Sequence, residues 1–289
     1  MDIGQIGKEV SSAQLVGIGE STHGTHEFFD FKAKLFIELL QRHGFNTLLF
    51  EDSARTCQPI NEYIKTGRGN LGNLMSGLYS VWRVEELKNL ILWLHDNRLT
   101  HRVEFVGFDI DQSLENIEQR DELMAKNILT YVKSKLHTKA FIWAHNSHVK
   151  YSDTDKNDRP MGLFLRRLFG RDYLSIAQFF GCGEFSATQI DESKPNSPDR
   201  TLKTVAFDNI PDNLLEAQLD TLDDKPYFLS KTGLAIKGFK SDKAYAVRSI
   251  GWGIVPSRAN EYIENCNVAK EFGGLTYFPV AKHSQPLSQ

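Results

Sequence analysis

The stretch LVGIGESTHGTHEFF, residues 15–29, decides the fold. Its apolar start, residues 15–18, has the length and content of a buried strand, and an apolar periodicity of three and four residues begins near His26. Between them lie Gly19, Glu20, Ser21, Thr22, His23 and Gly24, so a carboxylate and an imidazole fall where a strand stops. In an open α/β sheet, the loops leaving the carboxyl ends of the strands splay into the crevice where ligands bind. The pattern recurs: FNTLLFE ends in Glu51, VEFVGFD in Asp109, and KAFIWAHNSH in His145 and His148. Apolar runs that close on ionisable residues at four places predict one site assembled from four loops.

Helical periodicity separates these runs, at residues 26–43, 59–65, 84–97 and 113–136, around strands at 45–50, 103–108 and 140–144. That order predicts an α/β fold: a mostly parallel sheet flanked by helices, with the site at the carboxyl ends of the strands. TGRGNLGN, residues 66–73, reads as a turn region without phosphate-loop spacing. The polar stretch YSDTDKNDRP, residues 151–160, follows the two histidines and reads as a loop placed to act as a lid. Further on, residues 161–170 read as a short helix, 172–180 as a strand and 182–190 as its antiparallel partner. Residues 192–203 read as an exposed excursion, 213–222 as a helix, 244–250 as a strand and 275–280 as the last strand. No linker divides the chain, so a single domain over residues 1–289 is expected.

Hydrophobic residues make up 40% and charged residues 25% of the 289, the balance of a globular chain rather than a disordered one. A net charge of −3 supplies no basic field for nucleic acid or an anionic membrane, so a small-molecule partner is expected; oligomeric state is not legible. Cys57, Cys182 and Cys266 are scattered and odd in number, which argues against a disulfide framework or a thiolate zinc site and fits a reducing cytoplasm. The N-terminal MDIGQIGKEVSSAQ has no signal-peptide pattern, and no apolar run is long enough to span a bilayer. Gly17-x-Gly19 follows a strand, yet Thr22 stands where a dinucleotide turn needs its third glycine, so no cofactor is expected.

Each candidate residue has a plainer alternative. Glu20 could cap a helix and His23 could be a satisfied core imidazole; Glu51 and Asp109 could be structural ion-pair partners of Lys32 or Arg55. Trp82 and Arg83, in SGLYSVWRVEEL, line a pocket or pack the start of a helix. His145 and His148 bracket Asn146 and Ser147, and two histidines with a glutamate also make a metal-ligand set, although their spacing is not that of a helical zinc motif. No serine stands in a nucleophile elbow and Cys57 has no flanking base, so an acyl-enzyme is the weaker mechanism.

GESTHGTHEFFDFKAKLFIELL, GFNTLLFE, YSVWRVEELKNLILWLHDN, VEFVGFD, WAHNSHV, MGLFLRRLFGRDYLSIAQFFGCGEF and GGLTYFPV together resemble the erythromycin esterase family, from about residue 13 to residue 280. The first and fifth of these pieces are the specific ones. The resemblance implies a hydrolase of an ester or lactone, with His23 as the base, Glu20 and Glu51 as supporting carboxylates, and His145 and His148 as the later histidine pair. Lys32 stands where the family has an arginine, which keeps the charge and loses the bidentate fork. Lys32, Trp82, Arg83, Asp109 and Asn146 are then expected to contact substrate. The chain is shorter than macrolide-hydrolysing members and lacks part of a helical insertion that shapes their cleft. Two alternatives stand beside this: a metal-dependent hydrolase using His145, His148 and a glutamate, and a non-catalytic small-molecule-binding homologue.

Overall fold

The computed structural model describes residues 1–110, 119–152, 159–193 and 201–287. Helix α1 (Ile3–Val10) leads into strand β1 (Leu15–Ile18), every residue of which is buried. Helix α2 (His26–Arg42) buries Phe28, Phe29, Phe31, Leu35, Phe36 and Leu39 along one stripe, and Lys32 with them. Strand β2 (Thr47–Ser53), helices α3 (Ala54–Thr66), α4 (Leu71–Met75) and α5 (Glu85–Asp96), and strand β3 (Glu104–Asp109) follow. Next come α6 (Arg120–Ser134), β4 (Ala140–Trp143), the short turn of helix α7 (Asn146–Val149), α8 (Met161–Phe169) and the long strand β5 (Tyr173–Gln189). The remainder is β6 (Leu202–Phe207), α9 (Leu215–Asp220), β7 (Tyr227–Ser230), α10 (Lys231–Ile236), β8 (Tyr245–Arg248), β9 (Gly253–Ile254), β10 (Ile263–Cys266), α11 (Val268–Glu271) and β11 (Gly274–Ala281).

The sheet runs β3-β2-β4-β1-β5-β11-β7, with parallel pairing from β3 through β11 and β7 antiparallel at the edge. Helices α1 to α5 pack on one face of this sheet around Phe28, Phe36, Phe50 and Trp82, while α6, α8 and α9 pack on the other around Met124, Leu165 and Leu215. Adjacent strands β1 and β4 therefore hand the chain to helices on opposite faces, α2 and α8. Their loops must diverge there, which opens a crevice at the carboxyl ends of the two central strands.

Two expectations are corrected. Residues 182–189 are not an antiparallel partner of the preceding strand; they continue it as one β5, and the antiparallel partner is β6, which begins at the end of the region read as an excursion and runs past it. Gly183 takes φ +109 and lies against the Ala281 backbone, so it serves close strand approach rather than a turn. The turn region at residues 66–73 instead contains the start of α4, capped by the Asn70 side chain. The predicted lid at 151–160, helix at 113–136 and excursion at 192–203 lie partly outside the described residues, at 153–158, 113–118 and 194–200.

Candidate active site

The loop after β1 is fixed by backbone hydrogen bonds from four directions: Gly19 N–H to Ile176 O (2.8 Å), Asn146 N–H to Glu20 O (2.9 Å), Ile250 N–H to Ser21 O (2.7 Å) and Ser186 N–H to Gly24 O (2.9 Å). Gly24 is pressed so closely on Ser186 that a Cβ there would meet its backbone. On this rigid loop His23 Nδ1 lies 2.7 Å from Glu20 Oε1, and the other Glu20 oxygen accepts from Lys32 Nζ at 2.7 Å. Lys32 also donates to the Ala144 carbonyl at 3.1 Å, so one buried ammonium ties the β1 loop to the end of β4. Burial lowers the Lys32 pKa to about 8 against the opposing pull of Glu20, which leaves the ammonium charged near neutrality. A carboxylate on Nδ1 keeps the proton there, so the lone pair of His23 sits on Nε2.

A second cluster forms at the end of β2. Its register against β3 slips by one residue between Phe50 and Ser53, and this bulge carries Glu51. Glu51 accepts from the His145 N–H at 2.7 Å and from Arg120 at 3.1 Å, and lies 3.2 Å from His148 Nε2. Arg120 grips Asp109 with two bonds, of 2.9 and 2.7 Å, and His148 Nδ1 meets Asp121 at 2.8 Å. Burial works against charge on His148 and Glu51, but the attraction of their charged neighbours is larger: His148 is pushed up to about 10, and Glu51 is held well below the usual carboxylate range. His148 thus lies between two carboxylates that favour its imidazolium form, with Arg120 Nη1 also 3.1 Å from its Nε2.

His145 behaves oppositely. Burial, then the neighbouring His23, hold its pKa well below the ordinary imidazole value. As the N-cap of α7, its Nδ1 accepts from the Ser147 N–H (3.2 Å) and lies 2.8 Å from the Ser147 hydroxyl. A neutral ring whose Nδ1 accepts must carry its proton on Nε2, and that buried Nε2 has no hydrogen bond of normal geometry within the described residues, although the Ser21 backbone is close enough to act on the ring. The His145 ring lies edge-on to His23, with centroids 5.2 Å apart.

A cavity of about 760 Å³ brings these groups together; His23, Glu51, Trp82, Arg83, His145 and His148 all line it. Glu20 stands behind His23 and is fully buried. Three residues expected at the substrate do not line the cavity. Lys32 is committed to Glu20, Asp109 to Arg120, and the Asn146 side chain to the Gln178 backbone, with bonds of 3.0 and 3.1 Å. Sequence reasoning missed Arg120 and Asp121, which fall on a helix patterned like a solvated one, and Trp252, which lies in a loop without periodicity. The donor set does not fit a metal: both His148 nitrogens face carboxylates, Arg120 occupies the Glu51 face, and no ligand group of three exists among the described residues.

A family model for erythromycin esterase matches residues 40–119 and 110–280. The chain belongs to the erythromycin esterase family. It is 28% identical to erythromycin esterase type II of Escherichia coli over 138 residues, 47% of this chain and 33% of that protein, so the match spans about a third of that relative. The fold of this family member matches the crystal structure of a succinoglycan biosynthesis protein, with a TM-score of 0.82 at 17% identity over 98% of this chain and 92% of the other. It also matches a mutant of the erythromycin esterase EreC in its open conformation, with a TM-score of 0.69 at 14% identity over 94% and 92%. No helix among the described residues is long and apolar enough to cross a membrane.

Proposed function

We propose that this chain is a carboxylic ester hydrolase that cleaves an ester or lactone with water activated by His23, without a covalent intermediate. The observation that carries this reading is the Glu20–His23 pair: Nδ1 is committed at 2.7 Å and the ring lines the cavity, so Nε2 is the basic atom available to a water there. The water oxygen bonds to the carbonyl carbon as its proton passes to Nε2, and the carbonyl electron pair moves onto oxygen. Collapse of that tetrahedral species breaks the bond to the leaving oxygen, which takes the proton back from Nε2.

Bulk water and imidazolium differ by about nine pKa units, or roughly 12 kcal/mol, so the imidazole alone does not suffice. Partial proton transfer lowers the demand, and Glu20 stabilises the imidazolium that forms. A preorganised donor at the developing oxyanion contributes about 3–4 kcal/mol. Of the candidate donors, Lys32 is buried away from the cavity, His148 is saturated by Glu51 and Asp121, and His145 lines the cavity with its ring while its Nε2 is itself buried beside the Ser21 backbone. Glu51 positions the loop of His145 rather than touching His23. The substrate is a small molecule, a macrolide lactone being one to test. We place the activity in the cytoplasm, which the three free thiols support.

The test is a panel of activated esters and lactones, a macrolide included, turned over by the native protein and by His23→Ala. Loss of about a thousandfold or more in kcat supports the reading. Equal turnover by the two proteins would exclude His23 as the base, and no turnover above background by either would assign the chain to ligand binding without catalysis.

A further inference from the structure

Charge in the cavity is layered. The cations Arg83, Arg120 and His148 line it, while Asp109, Asp121 and Glu20 do not. The lining carboxylate, Glu51, is saturated by Arg120, His148 and the His145 N–H. Arg120 is likewise held by both oxygens of Asp109. Arg83 differs from the other two cations. Its Nε donates to the Leu78 carbonyl at 2.8 Å, which orients the guanidinium, and its terminal nitrogens have no hydrogen bond or ion pair among the described residues. The exposed Arg83 thus holds an oriented and uncommitted fork at the cavity rim.

Trp252 is the second rim feature. It is 43% exposed and lies on a wall of the same cavity. Its segment is not loose: Ile250 N–H donates to Ser21 O at 2.7 Å, and Trp252 O accepts from Thr188 N–H at 3.1 Å.

We infer that the substrate carries a carboxylate, which Arg83 binds at the mouth of the cavity. One planar guanidinium with two free nitrogens matches one carboxylate in a bidentate pair. A cation that no carboxylate among the described residues pairs with, at the entrance to a cleft, also raises the local concentration of anions. The inference rests on the hydrolase reading, because it names the class of ester that the site takes.

The experiment compares 4-nitrophenyl butyrate with the mono-4-nitrophenyl ester of glutaric acid, a pair that differs by a terminal carboxylate. Expected is a kcat/KM ratio favouring the acidic ester that drops about tenfold in Arg83→Gln, mainly through KM, and is partly restored in Arg83→Lys. Added salt should lower the same ratio in the native protein. A parallel titration follows tryptophan fluorescence of His23→Ala with hippurate and its neutral amide. Hippurate should bind more tightly, and Arg83→Gln in that background should remove the difference. A ratio unmoved by Arg83→Gln and by salt, with hippurate and hippuramide bound alike, would overturn the proposal. If neither ester is hydrolysed but hippurate binds through Arg83, the hydrolase reading fails and the carboxylate site stands. If both esters are hydrolysed with no dependence on Arg83, the reverse holds.

Discussion

Replacing His148 by glutamine removes an imidazolium from between Glu51 and Asp121, 3.2 and 2.8 Å away. Breaking one partner out of a buried pair costs about 3–5 kcal/mol. That cost depends on pH in a direction the structure fixes. The folded His148 pKa, about 10, lies above its ordinary 6.5, so its stabilisation is complete below pH 6.5 and is lost as pH rises toward 10. At 1.36 kcal/mol per pH unit, the 1.5 units from pH 6.5 to 8 remove about 2 kcal/mol. Lys32 titrates in the opposite sense above pH 8, because its folded pKa of about 8 lies below 10.5, so stability rises there as the unfolded chain alone holds the proton. The difference between native protein and His148→Gln at pH 6, 7 and 8 isolates His148. Urea unfolding at each pH should show the gap narrowing by about 2 kcal/mol from pH 6 to pH 8. A gap constant over that range would mean that His148 is not an imidazolium, and the clamp on Glu51 would fail as an explanation.

Two further outcomes follow from the same geometry. Glu20→Gln should lower kcat by about 10³–10⁴ with little change in KM, because the amide no longer holds the proton on His23 Nδ1; steady-state kinetics on an activated ester measure it. Asn146→Ala should cost about 2–4 kcal/mol in thermal or urea unfolding, since it strands the two Gln178 backbone groups that the amide satisfies, while KM stays unchanged because that amide does not line the cavity.

The central strands were legible because each is a short apolar run with an ionisable residue at its end, and that residue type is costly to place there without partners. Strands β1 and β4, the helix at 26–42 and the positions of His23, Glu51, His145 and His148 all follow from that signal. Direction was less legible than identity. Lys32 falls on the apolar stripe of its helix, and that placement sends it inward to Glu20 rather than outward to a ligand. Asn146 lies beside the histidines in sequence, yet the first turn of α7 points its amide at β5. Arg120 and Asp121 carry no pattern that separates them from other polar residues at a helix start; only the meeting of that helix with β2, β3 and α7 gives them partners. The length of β5 was hidden by Gly181 and Gly183, which in sequence look like a turn and in space let β11 come close.

The most direct measurement of the account is the protonation of His23 itself, read by ¹⁵N NMR of the imidazole in the native protein and in Glu20→Gln, alongside the turnover of each. The native ring should carry its proton on Nδ1 and keep a bare Nε2, with that preference and most of kcat lost together in Glu20→Gln. A native ring protonated on Nε2, or a Glu20→Gln protein that loses the tautomer and keeps its rate, would contradict a water-activating base at His23.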